Sequence, residues 1–202
     1  MTRLPPTSQH TIGPFFPRGF FRPGDNDLRR IATEAPPSTA GETIRLHGRV
    51  LRENGQPCVN AVLEAWQADA AGRFRHPADP DWRLADPDFL GWGRAWTDAA
   101  GGFEFITLLP GGYAEGNHHR APHVNLTIMA SGLMRPLATT VFFPDFPEAN
   151  AADPVLGLVP PEARARLVAM VDSAPDGLAE GSRSFRCELR LRGGAETPFF
   201  AE

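Results

Sequence analysis

The sequence predicts an all-β fold, a β-sandwich with roughly seven to eight short strands. Three observations carry this reading. Short runs alternate apolar and polar residues with the period of a strand. Turn residues punctuate those runs about every eight to twelve positions. Finally, 21 prolines and 20 glycines, about a fifth of the 202 residues, leave little room for long helices.

Residues 1–41 read as an irregular arm, because prolines at 5, 6, 14, 17, 23, 36 and 37 preclude regular helix or central strand. Phe15, Phe16, Phe20 and Phe21 make the arm too aromatic for a solvated tail, so it is expected to pack on its own domain or on a partner chain. Residues 42–202 form the single sandwich domain. Its first strand is 43–51, with Ile44, Leu46 and Val50 on one face and Arg45, His47 and Arg49 on the other. Asn54-Gly55 is a hairpin turn. The next strand runs from Ala61 to Gln67, with Trp66 expected in the core, and Asp69-Ala-Ala-Gly72 turns again. Residues 75–92 are loop-like. Gly93 to Thr97 and Phe103 to Thr107 flank the turn 98–102, and Pro110-Gly-Gly112 makes another. From His123 to Ala130 the alternation is strict: His123, Asn125, Thr127 and Met129 face one way, Val124, Leu126, Ile128 and Ala130 the other. Leu137 to Phe143 is a β-rich strand. Only 161–171 has a helical look, with Pro161 at its first turn and Leu167, Met170 and Val171 as an apolar stripe. The last strand, 184–191, turns Phe185, Cys187, Leu189 and Leu191 inward. The pattern suits a sandwich of the prealbumin or immunoglobulin-like kind.

Composition excludes several classes. A net charge of −4 without a basic stripe argues against nucleic-acid binding. No apolar run has transmembrane or signal-peptide character. The two cysteines, Cys58 and Cys187, are read as buried free thiols in a reducing cytoplasm. No phosphate-binding glycine loop and no nucleophile-elbow motif occurs.

Chemistry concentrates between residues 110 and 126, which hold the single tyrosine, Tyr113, and His118, His119 and His123. On a strand, residues i and i+2 share a face with side chains about 7 Å apart, so a His-x-His pair can hold one metal ion. Here the pair is His123-x-Asn125, and an amide is a poor ligand for Fe(III) or Zn. Read alone, His123 is a partly buried histidine, an interface residue or a metal ligand. Tyr113 is a packed turn residue or a ligand, and His118 and His119 are solvated loop residues. Glu64, Trp66, Gln67 and Asp69 are read as strand and turn residues before a binding set, and the acidic loop from Asp79 to Asp88 lacks calcium-loop spacing.

These motifs together resemble a known family, the intradiol ring-cleavage dioxygenases. Its arm motif is similar to Thr7-Ser-Gln-His-Thr11-Ile-Gly13-Pro14-Phe15. Its signature resembles Leu46-His-Gly48-Arg-Val50 through Leu63-Glu-Ala-Trp66-Gln67-Ala68-Asp69-Ala-Ala-Gly72-Arg-Phe74. Ala121-Pro-His123-Val-Asn125-Leu126 and the ending Glu196-Thr197-Pro198-Phe199-Phe200 resemble the alpha chains of its heteromeric members. The resemblance implies a β-sandwich and a non-haem Fe(III) centre built from two tyrosines and two histidines. By it, Tyr113 and His123 are vestigial ligand positions, while Asn125 and Trp82 stand where the remaining ligands would be. No metal is therefore expected in this chain. The implied partner is a homologous beta subunit carrying two tyrosines, His-x-His and the iron, with protocatechuate and O₂ as substrates. Thr11, Gly13 and Pro14 are implied to form a wall of the partner's substrate pocket. The family's Ala-Arg-Gly is Ala130-Ser131-Gly132 here, with Arg135 as the nearest arginine. The alternatives are a self-sufficient iron-binding dioxygenase and a non-enzymatic β-sandwich binding module.

Overall fold

A computed structural model describes residues 21–173 and 181–200. Two four-stranded sheets face each other. The first has the order β4-β1-β10-β9, from Gly102–Leu108 (β4), Thr43–Leu51 (β1), Arg183–Arg190 (β10) and Met170–Asp172 (β9). The second has the order β3-β2-β7-β8, from Trp92–Trp96 (β3), Val62–Trp66 (β2), His123–Met129 (β7) and Leu137–Phe142 (β8). All pairings are antiparallel except β1 with β10, which run parallel with Ile44 beside Arg183 and Leu51 beside Arg190. A separate hairpin joins β5 (Tyr113–Glu115) to β6 (His118–Arg120).

The alternation read from the sequence builds the core. Ile44, Leu46 and Val50 of β1 meet Val124, Leu126 and Ile128 of β7 in one buried cluster with Phe103, Phe105, Phe185 and Leu189. Strands with one face on a shared interior and one facing outward give this pattern. Gln67 ties the layers together at the end of β2. Its amide donates to the Leu108 carbonyl at 2.9 Å and its Oε1 accepts from Thr107 Oγ1 at 2.9 Å, so these buried polar groups are satisfied. Both cysteines are free and buried.

From Phe21 onward the arm is irregular but integrated. Residues 25–28 bridge the edges of the two sheets: Ile106 N donates to Asn26 O, Leu28 N to Ile106 O, and Arg94 N to Asp25 O. Leu28 is fully buried in the core. Gly93 is required there, since a Cβ would approach Leu28 Cδ1 to 2.5 Å. Thr11, Gly13 and Pro14 lie outside the described residues.

Four expectations are corrected. Among the described residues the strand count is ten, in part because the hairpin 113–120 pairs where a loop holding His118 and His119 was expected. The segment 161–171 is not one helix. It splits into α3 (Pro161–Arg164), a 3₁₀ turn (Ala165–Leu167) and β9, because of the expected apolar stripe only Leu167 is buried, while Met170 and Val171 are 49% and 64% exposed on an edge strand paired to β10. Two further short helices, α1 (Pro147–Ala152) and α2 (Pro154–Gly157), each open on a proline. Trp66 is half-buried and lies outside the core cluster, because it ends β2 on the outward face, beside Asn125. No helix among the described residues is long and apolar enough to cross a membrane.

Candidate functional site

The outward face of the second sheet holds the chemistry. His123 opens β7 and is 3% exposed. Its Nδ1–H donates to the Ala121 carbonyl at 2.6 Å, which leaves Nε2 with the lone pair. Burial holds this imidazole below the usual histidine range, despite the hydrogen bond to Ala121. Two residues on, Asn125 is committed to the sheet: its Oδ1 accepts from Thr140 Oγ1 at 2.8 Å across the β7–β8 pair.

Tyr113 is placed by backbone contact. The Pro110-Gly-Gly112 turn packs on the Asp69–Gly72 turn so closely that a Cβ on Gly72, which has φ +78°, would run into the Gly112 carbonyl oxygen. This sets the Tyr113 ring edge-on to Phe74, centroids 5.0 Å apart, and 5.6 Å from the His123 ring. Trp66 stacks on Phe74 at 5.8 Å. Burial raises the Tyr113 hydroxyl above its usual range, with Arg120 working in the opposite direction, so the phenol keeps its proton.

Behind the tyrosine lies a buried ion pair that motif reading missed. Arg120 Nε meets Asp153 Oδ2 at 3.0 Å, with side chains 8% and 0% exposed. Arg120 Nη1 also reaches Glu115 at 3.1 Å, and its guanidinium lies 6.0 Å from the Tyr113 ring centre. Asp153 accepts further from Ala121 N at 2.9 Å and caps α2 through Val155 N and Leu156 N. Burial alone would raise the Asp153 carboxyl, but these hydrogen bonds and Arg120 outweigh it and hold it below the usual range. The readable signal was Asp153-Pro154, an N-cap followed by proline at the first helical position.

Other candidates fall into structural roles. Glu64 pairs with Arg94 across β2 and β3. Asp69 accepts from Ala71 N and Arg73 N at 2.9 Å, and from Asp86 N at 2.9 Å, pinning the 75–92 loop. His118 and His119 are exposed on β6. Trp82 sits on an exposed 3₁₀ turn with the Arg83 guanidinium 4.8 Å over its ring. Ser131 and Arg135 are exposed beyond the opposite end of β7 from His123.

This donor set does not fit a ferric ion. Fe(III) favours phenolate, carboxylate and imidazole. This face offers one phenol, one buried imidazole and an amide oxygen already bonded to Thr140. Among the described residues, no three histidine, cysteine or acidic side chains group as a metal cluster. What remains is a cleft of about 440 Å³ walled by Trp66, Phe74, His76, Asp79, Tyr113 and Glu115.

Known proteins share this architecture. The family model described as Dioxygenase matches residues 12–193. A protocatechuate 3,4-dioxygenase alpha chain from Burkholderia cepacia is 40% identical over 205 residues, covering 99% of each chain. The beta chain of the same name and organism is 38% identical, over 87% of this chain and 75% of that one. Among solved structures, the dioxygenase domain of a dioxygenase–carbohydrate-binding fusion from Streptomyces sp. SirexAA-E is similar at TM-score 0.58 and 25% identity, over 94% of this chain and 100% of that one.

Proposed function

The chain belongs to the intradiol ring-cleavage dioxygenase family, and from that premise we propose that it is the alpha-type subunit of a heteromeric protocatechuate 3,4-dioxygenase. One observation carries the reading: the amide of Asn125 is hydrogen-bonded to Thr140 at the position where a second imidazole would be needed. End-to-end similarity to an alpha chain supports it. The non-haem Fe(III) then belongs to a homologous beta subunit with two tyrosines and His-x-His, where the ring of protocatechuate is opened by O₂ between its hydroxyls to 3-carboxy-cis,cis-muconate.

This chain's own contribution is structural and steric. Tyr113 and His123 persist as packed side chains held by Phe74, Arg120 and the Ala121 carbonyl. The segment preceding Phe21 is proposed to reach the partner, with Thr11, Gly13 and Pro14 walling its substrate pocket and excluding water. Its aromatic content suits the apolar core of an interface. Buried free Cys58 and Cys187 support a reducing, cytoplasmic setting.

Expression of this chain alone and together with an iron-bearing beta chain tests the proposal. Alone, it should be colourless, without stoichiometric iron and without ring-opening activity. The pair should co-purify, carry iron and absorb visibly through tyrosinate-to-iron charge transfer. A coloured, active, iron-loaded chain without a partner would overturn the proposal.

A further inference from the structure

The cleft beside Tyr113 is left open by the described residues. Its walls combine aromatic faces with formal negative charge. Trp66 and Phe74 lie within 15° of parallel, and Tyr113 stands at 85° to Phe74, so two differently oriented π surfaces border one cavity. Ring faces carry the negative lobe of the aromatic quadrupole and attract cations. Among the described residues, the carboxylates lining the cavity are Asp79 and Glu115, and no lysine or arginine lines it.

The nearby cation does not cancel this charge. Arg120 is shared between the fully buried Asp153 and one oxygen of Glu115, so two carboxylates already face this one guanidinium and Asp79 adds a third negative charge to the cleft wall. Asp79 is rigid, its oxygens accepting from Phe74 N at 2.8 Å and Asp81 N at 2.7 Å. Glu115, 61% exposed, keeps its second oxygen available at the rim. The Tyr113 hydroxyl oxygen is a further acceptor in the cleft wall.

We infer that this cleft takes a guanidinium group, as carried by an arginine side chain or a free arginine-like ligand. A planar guanidinium stacks on aromatic faces and donates along its edge to carboxylates, which is the combination the walls present. An aromatic acid suits the rings but places its carboxylate against Asp79 and Glu115. The inference concerns this chain's own cleft and does not depend on where iron is held.

The single tyrosine makes the test direct. With tyrosine labelled at Cζ alone, the full-length chain has one labelled aromatic NMR signal, from the residue in the cleft wall. Titration with methylguanidinium should move that signal saturably, and tetramethylammonium, which cannot donate hydrogen bonds, should bind more weakly. Benzoate should leave it in place. Glu115→Gln, on an exposed side chain, should weaken methylguanidinium binding by about tenfold, the effect of losing one charge-assisted hydrogen bond. Trp66→Ala should weaken it further. In the heteromer, a signal already at its bound position identifies a partner arginine as the occupant, and one that still responds to methylguanidinium identifies a free ligand; both uphold the site. The inference is overturned if methylguanidinium gives no saturable shift, if benzoate or tetramethylammonium binds as well, or if Glu115→Gln binds unchanged.

Discussion

The two sheets present opposite kinds of outward face. Beside the second sheet, charge is driven inside: Arg120 of the β5–β6 hairpin and Asp153 are almost sealed from solvent, and Asp153 also caps α2 and binds the Ala121 amide. On the first sheet, charge stays at the surface. Arg45 meets Glu104 at 2.5 Å with side chains 21% and 41% exposed, and His47 Nε2 lies 3.2 Å from Asp172 Oδ2. That His47 contact lacks hydrogen-bond alignment and is an ion pair only when the imidazole is protonated. The number of ion pairs says little about either face. Solvent exposure decides what each pair is worth, and only the buried one is tied to the site.

Breaking the buried pair is the strongest way to sharpen this contrast. Asp153→Ala strands the Arg120 guanidinium, the Ala121 amide and the α2 terminus together. Urea unfolding at neutral pH should show a loss of about 3–5 kcal/mol, the cost of leaving a buried charge unpaired. Because the Asp153 carboxyl is held below its ordinary 3.8, its stabilisation is present above that value and fades as pH falls beneath it. Next in size is Thr140→Val, which removes the donor to Asn125 and should cost about 1 kcal/mol in the same measurement.

Smaller effects belong to the first sheet. Glu104→Gln should cost about 0.2–1 kcal/mol, and less in high salt, as for other exposed pairs. A value as large as that for Asp153→Ala would break the comparison. His47 should give the weakest signal. Burial and then Arg45 lower its affinity for a proton, against the pull of Asp172 and Glu104. The unfolded chain, with an ordinary value of 6.5, therefore takes up the proton first, so stability should decline as pH falls below that value. Thermal unfolding across this range should show a shallower decline for His47→Gln than for the parent chain.

Much of this was legible from residue order. The faces of β1, β7 and β10 follow from alternation, because strand side chains point alternately and burying one face selects apolar residues at every second position. The turns at Asn54-Gly55 and at 69–72 and 98–102 were legible because Gly55, Gly72 and Gly101 adopt positive φ. The gap at Asn125 was visible too, since its facing depends only on its spacing from His123. Periodicity was less reliable where burial was not local. Residues 161–171 had a helical stripe, but Met170 and Val171 found hydrogen-bond partners in Arg186 and Phe185 and became an edge strand.

Residue order alone determined which side chains share the site's face and that an amide, not a second imidazole, stands two residues after His123. Tertiary structure decided what each of these groups touches. Thr140 reaches Asn125 across β8, Asp153 reaches Arg120 from a short helix, and Phe74 brings Trp66 and Tyr113 to one cleft. Local periodicity acts over a few residues, whereas these contacts join segments that meet only when the sheets pack, so their energies exist only in the folded chain.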